Sequence, residues 1–218
     1  MGNASRSRRA GPEEGFTIVE LMVALAIMSI VVVVLGTTLS SIQRAAIKQD
    51  ALSTMNDQAR LAVQQIDHEM RSGNVLYDPD IENGAGADAI TSCTGCLPGY
   101  TMRVYTQTHA ESRGGYMCVL WAIDDERRLL SRMWPPGLPA DATNWRVVAT
   151  DIVNRDLGIP AFDLDDDPQK GGRTLAIRLD VNVNLEGEPD QTTTIQSSYT
   201  GRNTSYGYPV SVCQDTPS

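Results

Sequence analysis

Histidine is nearly absent from this chain: 218 residues hold only His68 and His109. Neither accompanies a recognisable nucleophile motif, and no glycine-rich phosphate loop is present. These absences argue against an enzyme. Proline is missing between Pro12 and Pro79, so nothing there forces a helix to end. A second CxxC is missing too, which weakens a four-cysteine zinc reading. Net positive charge is lacking: the formal charge is -9. That balance argues against general nucleic-acid binding through the bulk field. No internal repeat is visible.

What is present is a long apolar run with one acid in it. Gly15-Phe16-Thr17-Ile18-Val19-Glu20-Leu21-Met22 opens a stretch that stays almost purely apolar to about Leu39. A carboxylate in hydrocarbon costs on the order of several kcal/mol, so its presence points to a partner. Upstream lies a short polar leader, Met1 to Gly15, with Arg6, Arg8 and Arg9.

These residues resemble the prepilin leader of type IV pilins and type II secretion pseudopilins. Gly15 stands before the cut, Phe16 becomes the first residue, Thr17 follows, and Glu20 is fifth. The resemblance implies cleavage after Gly15 and methylation of Phe16 by a prepilin peptidase/N-methyltransferase. It covers about the first quarter of the chain. Loss of the leader removes one net positive charge and takes -9 to -10.

The leader is not an ordinary secretory signal, because no small-residue cleavage site follows the apolar stretch. That stretch is therefore retained. Phe16 to Leu39 is long enough to cross a hydrocarbon core of roughly 30 Å at about 1.5 Å per residue. The Arg cluster should hold the amino end in the cytoplasm and send the rest outward. A plain signal anchor is the alternative, and Glu20 is what an anchor would lack.

Cysteine usage agrees with export. Cys93, Cys96, Cys118 and Cys213 form an even set in the part expected outside. In an oxidising compartment they read as two disulfides with three possible connectivities. A redox pair at Cys93-Thr94-Gly95-Cys96 and a zinc site are the rival readings. No metal or cofactor is expected.

Helical patterning continues from Phe16 to about Ser72. After the membrane span, Leu52, Met55, Ala59, Ala62, Val63, Ile66 and Met70 make one apolar stripe. The whole helix would be about 85 Å long. Gly36-Thr37-Thr38 interrupts it with poor helix formers, and local melting there on assembly is one possibility. Gly73-Asn74 reads as a stop.

Strand signals follow at Tyr100–Thr108, Tyr116–Ile123, Leu129–Trp134, Trp145–Ile152, Arg173–Leu185 and Thr192–Tyr199. Asp124-Asp125-Glu126-Arg127 reads as a hairpin turn. Asp78 to Pro98 is loop-like, and the tail from Thr200 is polar and poorly defined. The expected class is α+β: a long N-terminal helix packed on an antiparallel sheet. The expected parts are a leader (1–15), a membrane and filament-core helix (16–40), an amphipathic helix (41–73) and an outer β-rich domain (74–218).

Two clusters invite other chemistry. Asp163, Asp165, Asp166 and Asp167 could attract calcium, but the glycine and distal glutamate of an EF-hand loop are missing. A solvated acidic loop is the preferred reading. Arg127, Arg128, Arg132 and Arg146 lie near Trp134 and Trp145 and could stack and neutralise single-stranded DNA. Strand-edge charges beside core or half-buried tryptophans is the preferred reading, with DNA the lesser candidate.

The resemblance implies filament assembly. The Glu20 carboxylate would neutralise the amino terminus of a neighbouring subunit, since opposite buried charges attract strongly in low dielectric. The alternatives are that Glu20 pairs with its own amino terminus or is protonated. The implied partners are the processing peptidase, other pilin subunits, the assembly platform with its ATPase, and the membrane before assembly. The implied location is a single-pass cytoplasmic-membrane protein that later joins a surface pilus. Chain size suggests a minor pilin. A minor pseudopilin, or an anchored extracellular binding or redox module, is the alternative.

Overall fold

The computed structural model describes residues 15–82, 96–107, 115–165, 174–182, 192–201, 210–215 and 217. The leader residues 1–14, Cys93, His109, Asp166 and Asp167 lie outside the described residues. The chain divides into two compact units, Met1–Lys48 and Gln49–Ser218.

The first unit is helical. Helix α1 runs Ile18–Arg71, so its early turns make up the described part of that unit. Every large apolar side chain from Phe16 to Ile47 is exposed. Burying one such side chain is worth about 1.5–3 kcal/mol, so this surface strongly favours an apolar surrounding. It is the helix long and apolar enough to cross a membrane among the described residues. Gly36, Thr37 and Thr38 are helical here. The Thr37 and Thr38 hydroxyls donate to the Val34 carbonyl at 2.9 and 3.0 Å. Such back-bonding competes with the helix ladder and slightly weakens it.

In the second unit the amphipathic stripe is buried as its spacing requires. Ala59, Ala62, Val63, Ile66 and Met70 are buried, while Leu61 stays exposed. They join one core with the inner faces of two antiparallel sheets. The first sheet has five strands in the order β1-β2-β3-β4-β5: Gly73–Leu76, Thr101–Thr106, Met117–Ile123, Leu129–Trp134 and Arg146–Ala149. The second has three, β6-β7-β8: Phe162–Asp165, Thr174–Asn182 and Thr192–Thr200.

The β3–β4 hairpin pairs Cys118 with Trp134 through to Ile123 with Leu129. Its turn is held by Asp124, whose Oδ1 accepts from the Glu126 and Arg128 amides at 3.0 and 2.8 Å. A short helix α2, Asn154–Leu157, follows β5. Its buried Asn154 donates to the Arg178 carbonyl at 2.9 Å and accepts from the Asp180 amide at 2.8 Å. Gly99, at φ +73, brings its carbonyl within 2.8 Å of the Ala161 amide. A side chain there would collide with Pro160 at 2.9 Å. These links tie the two sheets together.

Strands β2 and β3 are buried along their whole length. Met102, Val104, Val119, Trp121 and Ile123 face the helix. Tyr105, Cys118, Leu120 and Trp134 belong to a second cluster with Val75, Tyr77, Cys96 and Cys213. The five-stranded sheet is thus covered on both faces.

Gly73-Asn74 stops the helix as expected, and the chain turns directly into β1. One sequence expectation needs correction. Asp163 and Asp165 sit in β6 rather than in a solvated loop, because Phe162 anchors that strand to the core.

Candidate functional site

The head of α1 is where the sequence concentrates its unusual residues. Thr17 precedes the first helical residue, and its Oγ1 accepts from the Glu20 amide at 3.3 Å. That satisfies one of the amide donors that a helix start leaves open. Thr17-x-x-Glu20 also has the capping-box spacing. Glu20 lies in the first turn, where the helix dipole favours a negative charge. Its local surroundings therefore account for a helix start, and its side chain stays exposed among apolar neighbours.

Gly15 has no structural reason to be glycine. A Cβ built there meets nothing within 4 Å, and its φ is not in the left-handed region. Phe16 is 84% exposed. A position that the fold leaves unconstrained, next to an unburied aromatic ring, is accessible to an external enzyme.

Residues 12–36 match the family model described as the prokaryotic N-terminal methylation motif. The matched segment holds Gly15, Phe16 and Glu20 and ends at Gly36. It supports a protein of the type IV pilin and pseudopilin kind, processed by prepilin peptidase and assembled with other pilins. The apolar helix supports membrane anchoring. No curated protein and no solved structure matches the chain.

The second unit contains the covalent lock. Cys118 on β3 and Cys213, in a 3-10 turn at Val210–Cys213, are joined with 5.7 Å between their Cα atoms. That bond takes both out of any four-cysteine zinc site. Cys96 is disulfide-bonded as well. Around the lock, Arg103 donates to the Cys213 carbonyl at 2.6 Å, and Tyr77 Oη accepts from the Cys213 amide at 3.1 Å. Arg103 also pairs with Glu82 at 3.2 Å, both side chains fully buried, and lies 3.8 Å over the Tyr77 ring. A buried pair of this kind is costly to break from one side.

The arginine–tryptophan group separates. Arg127 pairs with Asp156 at 2.6 Å, Arg128 with Asp124 at 2.7 Å, and Arg146 donates to Gln65 at 2.7 Å. Trp134 is fully buried and Trp145 half-exposed. Arg132 is not a strand-edge charge: it is 7% exposed. Burial lowers its pKa from the ordinary guanidinium value. The four arginines therefore make no continuous basic surface. His68 is exposed on the helix.

Two buried features were invisible to pattern reading. Glu69 falls within the apolar stripe, where a charge is not expected. The polar tail carries Pro217, whose carbonyl accepts from Arg132 Nη2. A cysteine in that tail was the one available signal.

Proposed function

We propose that this chain is a minor structural subunit of a type IV pilus. Residues 1–15 act as the leader, 16–40 as the membrane and filament-core helix, 41–73 as the amphipathic helix, and 74–218 as the outer domain. Cleavage after Gly15 leaves Phe16 as a methylated amino terminus in this reading. The cytoplasmic side receives that terminus before assembly, and the outer domain emerges. Glu20 then meets the terminus of an adjoining subunit. The role is assembly or initiation, adhesion, or DNA uptake.

The observation that carries the reading is the methylation-motif match over an apolar helical segment whose large side chains from Phe16 to Ile47 all stand exposed. Such a surface has to be covered by lipid or by neighbouring helices, and a filament core supplies the second. The lone carboxylate there gives the packing a register that apolar contacts alone lack.

Mass spectrometry of the chain isolated from its host membrane tests this directly. The expected mature species begins at a methylated Phe16. An intact Met1 leader would sink the proposal.

A further inference from the structure

Arg132 is a buried cation without an anion among the described residues. The pairing of Ser131 with Arg146 sets Arg132 beside Trp145 on the face of the sheet away from the helix. Its guanidinium carbon lies 4.7 Å from the Trp145 ring centroid. Nη2 donates to the Pro217 carbonyl, and Nε is buried with no partner. No carboxylate lies within ion-pair distance of it among the described residues. Its lowered pKa traces to burial, with no opposing attraction from a nearby acid. A guanidinium in that state gains much from an incoming oxyanion, because charge-assisted bonds strengthen as water is excluded.

Arg132 lines a cavity of 610 Å³ bounded by Pro139, Thr143, Asn144, Trp145 and Pro217. It is the one charged residue among the described residues of that lining. Thr143 Oγ1 accepts from the Met133 amide at 3.0 Å and keeps its own O–H to donate. The exposed Asn144 amide has no partner among the described residues. One cation, a hydroxyl and an amide thus ring a space walled by prolines and an indole. A volume in this range suits a small molecule rather than a bare ion. The acidic chain disfavours a polyanion. A pyranose acid answers all of these features: one carboxylate, several hydroxyls, and a C–H face for the apolar walls.

We propose that this pocket binds a carboxylated sugar, with its carboxylate on Arg132 and its hydroxyls on Thr143 and Asn144. The site stands whether or not the chain polymerises. Trp145 stacks under the guanidinium and fixes its orientation.

Titration of the full-length chain in detergent micelles with D-glucuronate, D-glucose, acetate and AMP, followed by calorimetry, tests it. Saturable glucuronate binding, about tenfold or more tighter than for the other three, is expected. Arg132→Gln should erase the preference of glucuronate over glucose. Asn144→Ala, at an exposed position, should weaken glucuronate about threefold or more without disturbing the fold. Glucose binding as well as glucuronate overturns the proposal. So does acetate matching glucuronate, which would make this a plain carboxylate site, or AMP binding more tightly, which would make it a nucleotide site. Absence of saturable glucuronate binding overturns it as well. If Arg132→Gln does not fold, unchanged glucuronate affinity in Asn144→Ala is sufficient to overturn it.

Discussion

Glu69, in the last turn of α1, accepts a 2.7 Å hydrogen bond from Nε1 of Trp121, in the middle of β3, and both side chains are fully buried. The same residue's backbone carbonyl accepts from the Thr106 hydroxyl at 3.0 Å, so β2 and β3 both grip this turn. Apolar packing alone would let the stripe slide along the sheet. A directed polar contact fixes its register. Trp121→Phe should keep most of the buried area, remove the donor, and lower unfolding stability by about 1–3 kcal/mol. Chemical denaturation of the chain in detergent, read by near-ultraviolet circular dichroism, measures it. A change under a few tenths would show that Glu69 is satisfied without Trp121.

Glu20→Gln should leave helix content unchanged, because the bond from Thr17 Oγ1 to the residue-20 amide uses the backbone. If Glu20 meets a neighbouring amino terminus as proposed, incorporation into filaments should fall by about tenfold or more, since that ionic contact would be lost. Quantifying the chain in sheared filaments against total cell membrane gives the ratio. Normal incorporation would show that the carboxylate does not select a register.

Gly15→Ala should fold like the parent, as an added Cβ meets nothing within 4 Å. Processing should nevertheless stop, with the Met1 leader retained in the intact mass. Efficient cleavage of this variant would mean the peptidase does not read the residue at that position.

Loss of the Cys118–Cys213 bond should cost about 3–5 kcal/mol, on the chain-entropy view of a closed loop of this separation. Cys118→Ala with Cys213→Ala compared with the oxidised parent gives the figure. Tm should then become insensitive to reductant at that bond. An unchanged Tm would place the tail's hold in Arg103 and Tyr77 instead.

Tyr105 offers a pH readout. Burial and then the charge of Tyr116 raise its phenol pKa above the ordinary 10.0. Above about pH 10 the unfolded chain releases this proton while the folded chain retains it. The unfolded state then binds fewer protons, so stability falls as pH rises through that window. Tyr105→Phe should flatten the fall between about pH 10 and the folded-state value, measured by urea midpoints at successive pH. An equally steep fall in the variant would assign it to other groups.

Much of the fold was legible because its signals are local. Leu175, Ile177, Leu179 and Val181 alternate and face the core as that period requires. The Asp124 turn and the helix stripe follow from equally short patterns. The methylation motif was legible for the same reason: Gly15, Phe16 and Glu20 sit within six residues of the matched segment. What escaped depends on contacts between distant parts. Glu69 breaks the apolar pattern and is held by donors that include Gln65, one turn back, and Trp121, 52 residues on. Arg132 looked like an edge charge because nothing near it in sequence reveals Pro217 lying over it. Strand β6 was obscured by its aspartates, which mask the anchoring Phe162.

Cys118 and Cys213 are 95 residues apart, and the whole second sheet lies between them. If the outer domain is exported as proposed, the first thiol would reach the oxidising side before the second. Closure of the ring thus waits for the intervening strands to emerge, and a stalled or shortened polypeptide cannot complete it. In the proposed reading the bond closes only after the second sheet has passed, and a chain lacking it would hold the Val210–Cys213 turn without that covalent tie.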